Sequence, residues 1–183
     1  MGTWITEEEE YTIRYSESND LPALRQWISQ PEVMIWYPVS SVSDAEIMTA
    51  NWIGFSRFRA SLTAVYRNRE VGIATLFLMP YRKLIHHSLM YFVVAPGEWG
   101  KGIGTSLLRN IHHLAKTEFR FEKIHAEVYS GCPAIPLFEK AGYREVVRQE
   151  RAVKESDGSY RARLIMEIEL TADQAKASKE ENG

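Results

Sequence analysis

At 183 residues, with 45% apolar and 25% charged side chains, the chain has the size and make-up of one soluble globular domain. Its formal charge of −2 gives no global pull toward nucleic acid or an anionic membrane, and no apolar stretch approaches the roughly 18 residues of a spanning helix. A single cysteine, Cys132, excludes an intramolecular disulfide. The acidic start, Trp4 and Ile5 followed by four glutamates, lacks the basic-then-apolar pattern of a secretory signal, so a cytoplasmic protein is expected.

Taken in chain order, residues 1–10 are expected to be a flexible acidic end and 171–183 a flexible charged tail, with one domain over 11–170. Thr12 to Tyr15 reads as a short strand. Asn19 or Asp20 then caps a helix that places Pro22 in its first turn, where the missing N–H does no harm. Ser43 and Glu46 have the spacing of a capping box for a second helix running toward Phe55. Residues 60–66 and 70–79, rich in β-branched and aromatic side chains, form a hairpin around Asn68. Ser88 to Val94 is a near-continuous apolar run, as in a central strand covered on both faces. Ile103, Leu107, Leu108, Ile111, Leu114 and Ala115 recur at helical spacing and give the next helix one apolar face. Ile124 to Tyr129 is a strand, Pro133 to Lys140 a short helix stopped by Gly142, and 143–153 with 160–170 a second hairpin around Ser156–Ser159. The order indicates a mixed α/β sheet.

Between the central strand and the long helix lies Pro96-Gly97-Glu98-Trp99-Gly100-Lys101-Gly102-Ile103-Gly104-Thr105. Glycines at alternate positions let the main chain approach a ligand closely. The first turn of the following helix adds unpaired N–H groups and the positive end of its dipole, which together suit a pyrophosphate. A dinucleotide fingerprint needs G-x-G-x-x-G and a later acidic residue, neither of which fits here. A nucleotide-triphosphate loop needs Lys and Ser or Thr where Ile103 and Gly104 stand.

A strand ending in V-x-P, followed by this turn and a helix, resembles the acetyl-CoA site of the GNAT N-acetyltransferases, whose pattern is [QR]-x-x-G-x-[GA], with Trp99 at the usual Gln or Arg. Ser130 to Tyr143 is similar to the family's second signature, N-x-x-A-x-x-L-Y-E-K-x-G-F, one helix and one strand later. Leu24 to Trp27 with Gln30-Pro31-Glu32-Val33-Met34 to Pro38 resembles the branch that acetylates ribosomal-protein N-termini, in which the E-W-G-K-G loop is also common. The resemblance covers roughly residues 11–170. It implies the acetyltransferase fold, a mixed, mostly antiparallel central sheet of about seven strands flanked by about four helices. It implies acetyl-CoA as cosubstrate, with Phe92, Val93, Val94, Trp99, Gly100, Lys101, Gly102, Ile103, Gly104 and Thr105 at its site, and an amine acceptor attacked directly in a ternary complex. A monomer or homodimer without nucleic acid, membrane or metal partners is expected.

On 124–129, Ile124, Ala126 and Val128 point one way while His125, Glu127 and Tyr129 point the other. The polar row is either a solvated or structurally bonded face, or the lining of an acceptor cleft with Glu127 as general base; the resemblance favours a glutamate on this strand. His87 shares parity with Leu89 and Tyr91 and is a second candidate base. Phe138 stands where the family has a tyrosine that protonates the leaving thiolate, and Gly131 where it has an asparagine, so Tyr143, Tyr129 or water takes that role, or the thiolate leaves unassisted. The same two departures leave open an acyl-CoA-binding or sensing module with weak or lost transfer activity. The adjacent pairs His86-His87 and His112-His113 cannot easily converge on one metal. Lys101 is a candidate for screening phosphate charge, and Trp36 and Tyr37 for shaping the acceptor side.

Overall fold

The computed structural model describes residues 11–170; the expected loose ends at 1–10 and 171–183 lie outside them. One sheet runs in the order β1-β2-β3-β4-β5-β7-β6, built from β1 (Thr12–Tyr15), β2 (Ser61–Tyr66), β3 (Arg69–Phe77), β4 (His87–Val94), β5 (Lys123–Tyr129), β6 (Arg144–Lys154) and β7 (Tyr160–Glu169). All neighbours are antiparallel except β4 and β5. The β2–β3 turn places Arg67 and Asn68 at φ 47° and 59°, the pair of left-handed residues that a two-residue hairpin demands.

Five helices flank the sheet: α1 (Leu21–Ile28), α2 (Pro31–Met34), α3 (Val42–Ile53), α4 (Ile103–Thr117) and α5 (Ile135–Lys140). The fifth, beyond the four expected, is the single turn of α2. It exists because Gln30 is extended and Pro31, with its φ already fixed, restarts the helix. The start of α3 also differs from the sequence reading. Ser41, not Ser43, is the cap, its hydroxyl accepting from Asp44 N at 3.1 Å, and the Asp44 carboxylate ties Ser40 N and Oγ in return.

Two cores result, one on each face. Ile103, Leu107, Leu108, Ile111 and Leu114 of α4, with Phe138 of α5, pack on one face; Leu24, Trp27 and Ile28 of α1 and Trp52 of α3 pack on the other. Burial of this kind is worth roughly 1.5–3 kcal/mol per large apolar side chain.

The sheet is not continuous. β4 and β5 pair only from His87↔Lys123 to Leu89↔His125. Beyond that, β4 stays with β3 as far as Val94 and β5 stays with β7 as far as Tyr129, so the two strands part and leave a wedge between their C-terminal halves.

Candidate active site

The wedge leads into a cleft of about 490 Å³. Val33, Trp36 and Tyr37 form one wall, Phe92 to Val94 the floor, and Cys132 to Ala134 with Leu137 the opposite wall. The glycine turn and Thr105 close one end, with Lys140 at the rim.

Which main-chain donors face the wedge follows from register. Ala95 N donates to Val71 O, so the hydrogen-bonded pairs of β3 and β4 fall on odd residues of β4, and Val93 spends its amide on Ile73. Phe92 and Val94 therefore turn their N–H and C=O toward the parting strands. Both carbonyls are already occupied: Tyr37 Oη donates to Phe92 O at 2.6 Å, and Trp99 Nε1 donates to Val94 O at 2.9 Å. What the wedge offers an incoming group is two amide donors, an arrangement suited to a carbonyl or developing oxyanion.

The three alternating glycines serve different ends. Gly100 (φ 76°) and Gly102 (φ 82°) take left-handed backbone, and Gly102 caps α4. A Cβ on Gly102 would lie 2.9 Å from the hydroxyl of Tyr11, which donates to Lys101 O at 2.7 Å and braces the turn. A Cβ on Gly104 would meet Leu137 Cδ2 at 2.8 Å and Phe92 Cζ at 3.2 Å, so this glycine, which also lines the cleft, makes room for the packing of α4. Beyond the turn, Ser106 N bonds Gly102 O, leaving the first three N–H groups of α4 without a partner inside the helix.

Of the other turn residues, Ile103 is buried and anchors α4. Lys101 Nζ pairs with Glu98 at 2.8 Å, and Arg69 reaches the same carboxylate at 3.5 Å, so Glu98, only 13% exposed and on the cleft wall, gathers two cations beside the turn. Cys132 lines the cleft with its thiol pushed up by burial, which outweighs the amide of Ala134. The cleft thus has the parts an acyl-CoA needs: an anion cradle, an apolar trough and two free amides.

Gly100→Asp tests the cradle with least disturbance, because nothing lies within 4 Å of a Cβ there and the left-handed backbone costs about 1–2 kcal/mol. A carboxylate at about 4 Å from a phosphate charge costs about 1 kcal/mol in a water-like medium and about 4 at an effective dielectric of 20. Titration calorimetry with CoA should show affinity lowered tenfold or more; unaltered affinity takes the turn out of the site.

The polar face of β5 lies on the side of α1 to α3. Glu127 Oε2 accepts from Arg163 Nη1 at 3.1 Å and is about a third exposed. Tyr129 is buried and its phenol is pushed up to about 12 by burial, then by Tyr91 and Glu127. The phenol of Tyr91 on β4 is likewise raised by burial first and by Glu127 second, which places the carboxylate near the strand across the wedge. Two candidates sit elsewhere. Tyr143 is buried on the α4 side, its hydroxyl against His112 Nε2 at 2.9 Å and Met90 Sδ at 3.8 Å. Burial raises that phenol and lowers His112 to about 4. His87 lies at the closed end of the wedge, its ring 5.6 Å from that of His125; burial lowers both, helped at His87 by His86 and at His125 by His87. None of Glu127, Tyr129, Tyr143 and His87 is among the residues that line the cleft; what distinguishes Glu127 is its place on β5 beyond the last pairing with β4. Sequence reasoning passed over Tyr11, Glu98, Lys140 and the capping role of Tyr37. Among the described residues no group of three or more His, Cys, Asp or Glu side chains gathers as metal ligands would, and no helix is long and apolar enough to cross a membrane.

A sheet parted between two parallel strands, with a glycine-capped helix start at the mouth, joins an anion-binding helix end to two strand amides. The sequence model of the acetyltransferase (GNAT) family matches residues 21–143, and the chain belongs to that family. Acetyl transfer from acetyl-CoA is the general activity this membership supports. Among solved structures, the yncA protein of Salmonella typhimurium, solved with its cofactor acetyl-CoA, superposes with a TM-score of 0.77 at 17% identity, over 92% of this chain and 99% of that one. An N-acetyltransferase from Staphylococcus aureus gives 0.72 at 16% identity, over 88% and 99%. A ribosomal-protein-alanine N-acetyltransferase from Brucella melitensis gives 0.70 at 24% identity, over 86% and 99%. No curated protein matches the sequence. The mixed, mostly antiparallel seven-stranded sheet is the fold expected from sequence.

Proposed function

We propose that the protein transfers the acetyl group of acetyl-CoA to a primary amine, a protein N-terminus or a small-molecule amine, by direct attack in a ternary complex. One observation carries the reading: the amides of Phe92 and Val94 face the same wedge that the start of α4 closes at one end, and the other side of that wedge is the half of β5 unpaired with β4, which carries Glu127. The pyrophosphate sits at residues 99–105, the pantetheine arm runs along β4, and the thioester oxygen takes a main-chain amide.

The acceptor arrives as an ammonium ion and gives one proton to Glu127, directly or through water, so that its nitrogen lone pair is free. Nitrogen attacks the carbonyl carbon, the C–S bond breaks with its electron pair on sulfur, and the second proton of the former ammonium passes to water, from which the released thiolate is protonated afterwards. A thiol is acidic enough, with a pKa near 8.5, to leave as thiolate without a dedicated donor. The buried hydroxyl of Tyr143, committed to His112, is given no part, and neither is His87 at the closed end. Resemblance to the N-terminal-acetylating branch supports a peptide amine as the first acceptor to try.

Free-thiol release from acetyl-CoA tests this with a panel of a peptide bearing a free alanine N-terminus, a polyamine, an aminoglycoside and free amino acids. Amine-dependent release is expected for at least one. Tight CoA binding with no release across the panel would overturn the reading in favour of a sensing module, the alternative raised by Phe138 and Gly131.

A further inference from the structure

The carboxylate of Glu127 belongs to a clamp that crosses three strands. Gln149 of β6, Arg163 of β7 and Tyr129 of β5 are register partners in a row, and Glu127 lies one diagonal step along β5 on the same face. Arg163 donates from Nε and Nη2 to Gln149 Oε1 at 2.8 and 2.6 Å, and from Nη1 to Glu127 Oε2 at 3.1 Å. The planar guanidinium makes this division possible: two donors of the fork fix its plane against one amide oxygen, and the third addresses the carboxylate from a set direction. Among the described residues Oε1 of Glu127 has no hydrogen-bond partner. Directly after Gln149 the β6 register slips, resuming only at Val153, with Arg151 at φ 55°. Such a bulge, on an otherwise solvent-exposed edge strand, re-aims the strand at the point where Gln149 meets Arg163.

We infer that Arg163 is a positioning residue that holds one oxygen of Glu127 and leaves the other aimed at the acceptor amine, with Gln149 holding Arg163 in turn. The inference rests on Glu127 being the base. A base serves only when its lone pair is within hydrogen-bond reach of the proton it takes. An untethered glutamate spreads that oxygen over several rotamers, and a displacement of about 1 Å costs up to about a hundredfold in rate.

The test is a kinetic cycle with the best acceptor of the amine panel. Arg163→Met should lower kcat about ten- to a hundredfold while the KM for acetyl-CoA and the calorimetric CoA affinity stay within twofold. Arg163→Lys should recover part of the loss, because one cationic donor can still reach the carboxylate although it cannot also be gripped as a fork. Gln149→Leu should cost a smaller factor. In an E127Q background Arg163→Met should add nothing beyond twofold, because there is no base left to aim. A kcat within twofold of the parent for Arg163→Met overturns the inference. So does an equal loss in both backgrounds, or a loss that follows weakened CoA binding. An E127Q enzyme with unchanged kcat, or a panel without turnover, sinks the reading of Glu127 itself, a different outcome from failure of the clamp.

Discussion

Glu127→Gln should reduce amine-dependent thiol release by about 10²- to 10⁴-fold, the range general-base catalysis contributes, with CoA affinity unchanged. The substitution is close to isosteric. The Gln carbonyl oxygen can still accept from Arg163 Nη1, now at 3.1 Å from Oε2, so the clamp and the local packing persist. What disappears is a group able to carry a proton, because an amide nitrogen has no lone pair to offer. CoA should not notice, since the site proposed for it is main chain at 99–105 and the amides of β4, and none of these groups depends on the charge of Glu127. The side chain is about a third exposed, so little stability rides on its charge and the melting temperature should stay within a degree or two. Steady-state rates, CoA titration and a thermal melt together decide: undiminished turnover returns the polar row of β5 to the alternative stated from sequence, a structurally bonded face.

How far that row could be foreseen depends on the range of the interactions involved. The alternation of 124–129 sorted Glu127 from Ala126 and Val128 without any tertiary knowledge, because strand side chains simply alternate. The apolar stripe of α4, the hairpin around Asn68 and the glycine stop at 142 are equally local, and all three appear as read. Long-range facts were not legible. Tyr11 braces a turn 90 residues away and Tyr37 caps a carbonyl 55 residues away, and no spacing rule announces either. Gly104 belongs to the glycine pattern, yet its missing Cβ makes room for Leu137, which only the packing of α5 on α4 reveals. Tyr143 follows the family's second signature closely enough to suggest a donor to the thiolate. Its hydroxyl instead goes to His112 on the opposite face of the sheet from Glu127.

The second large effect is expected far from the cleft, at Asp20. This fully buried carboxylate accepts from Arg14 Nη1 and Nη2 at 2.8 and 2.6 Å, from Glu17 N at 2.9 Å and from Thr63 Oγ1 at 2.7 Å. Thr63 spends its only proton on Asp20, so Ser16 must donate to Thr63, Ser61 to Ser16 and Thr75 to Ser61, while Trp52 Nε1 donates to Thr75. One charge therefore orders a file of buried hydroxyls from Ser16, just past β1, across β2 and β3 to the indole of α3, whose ring packs 5.2 Å from Tyr91 and 6.0 Å from Tyr37. Asp20→Ala leaves an amide and a buried hydroxyl without their acceptor, and leaves the Arg14 guanidinium only Tyr15 O at 3.0 Å and the Glu70 carboxylate at 3.6 Å. Breaking a buried pair costs about 3–5 kcal/mol; because Arg14 is 35% exposed and regains some hydration, about 2–4 kcal/mol is expected, against a total stability of about 5–15. At about 2–4 °C per kcal/mol, the melting temperature should fall by roughly 4–16 °C. The pH dependence gives a sharper check. Burial alone would raise the Asp20 carboxyl, but Arg14, the Glu17 amide and Thr63 outweigh it and hold it below the ordinary value. A depressed carboxylate contributes its stabilisation in full above the unfolded value of about 3.9 and loses it as pH falls through the folded value. Urea melts should thus show the parent and Asp20→Ala widely separated at pH 7 and converging below about pH 4. A separation that stays constant down to pH 2 would mean the loss comes from packing alone and that the charge does not order the file.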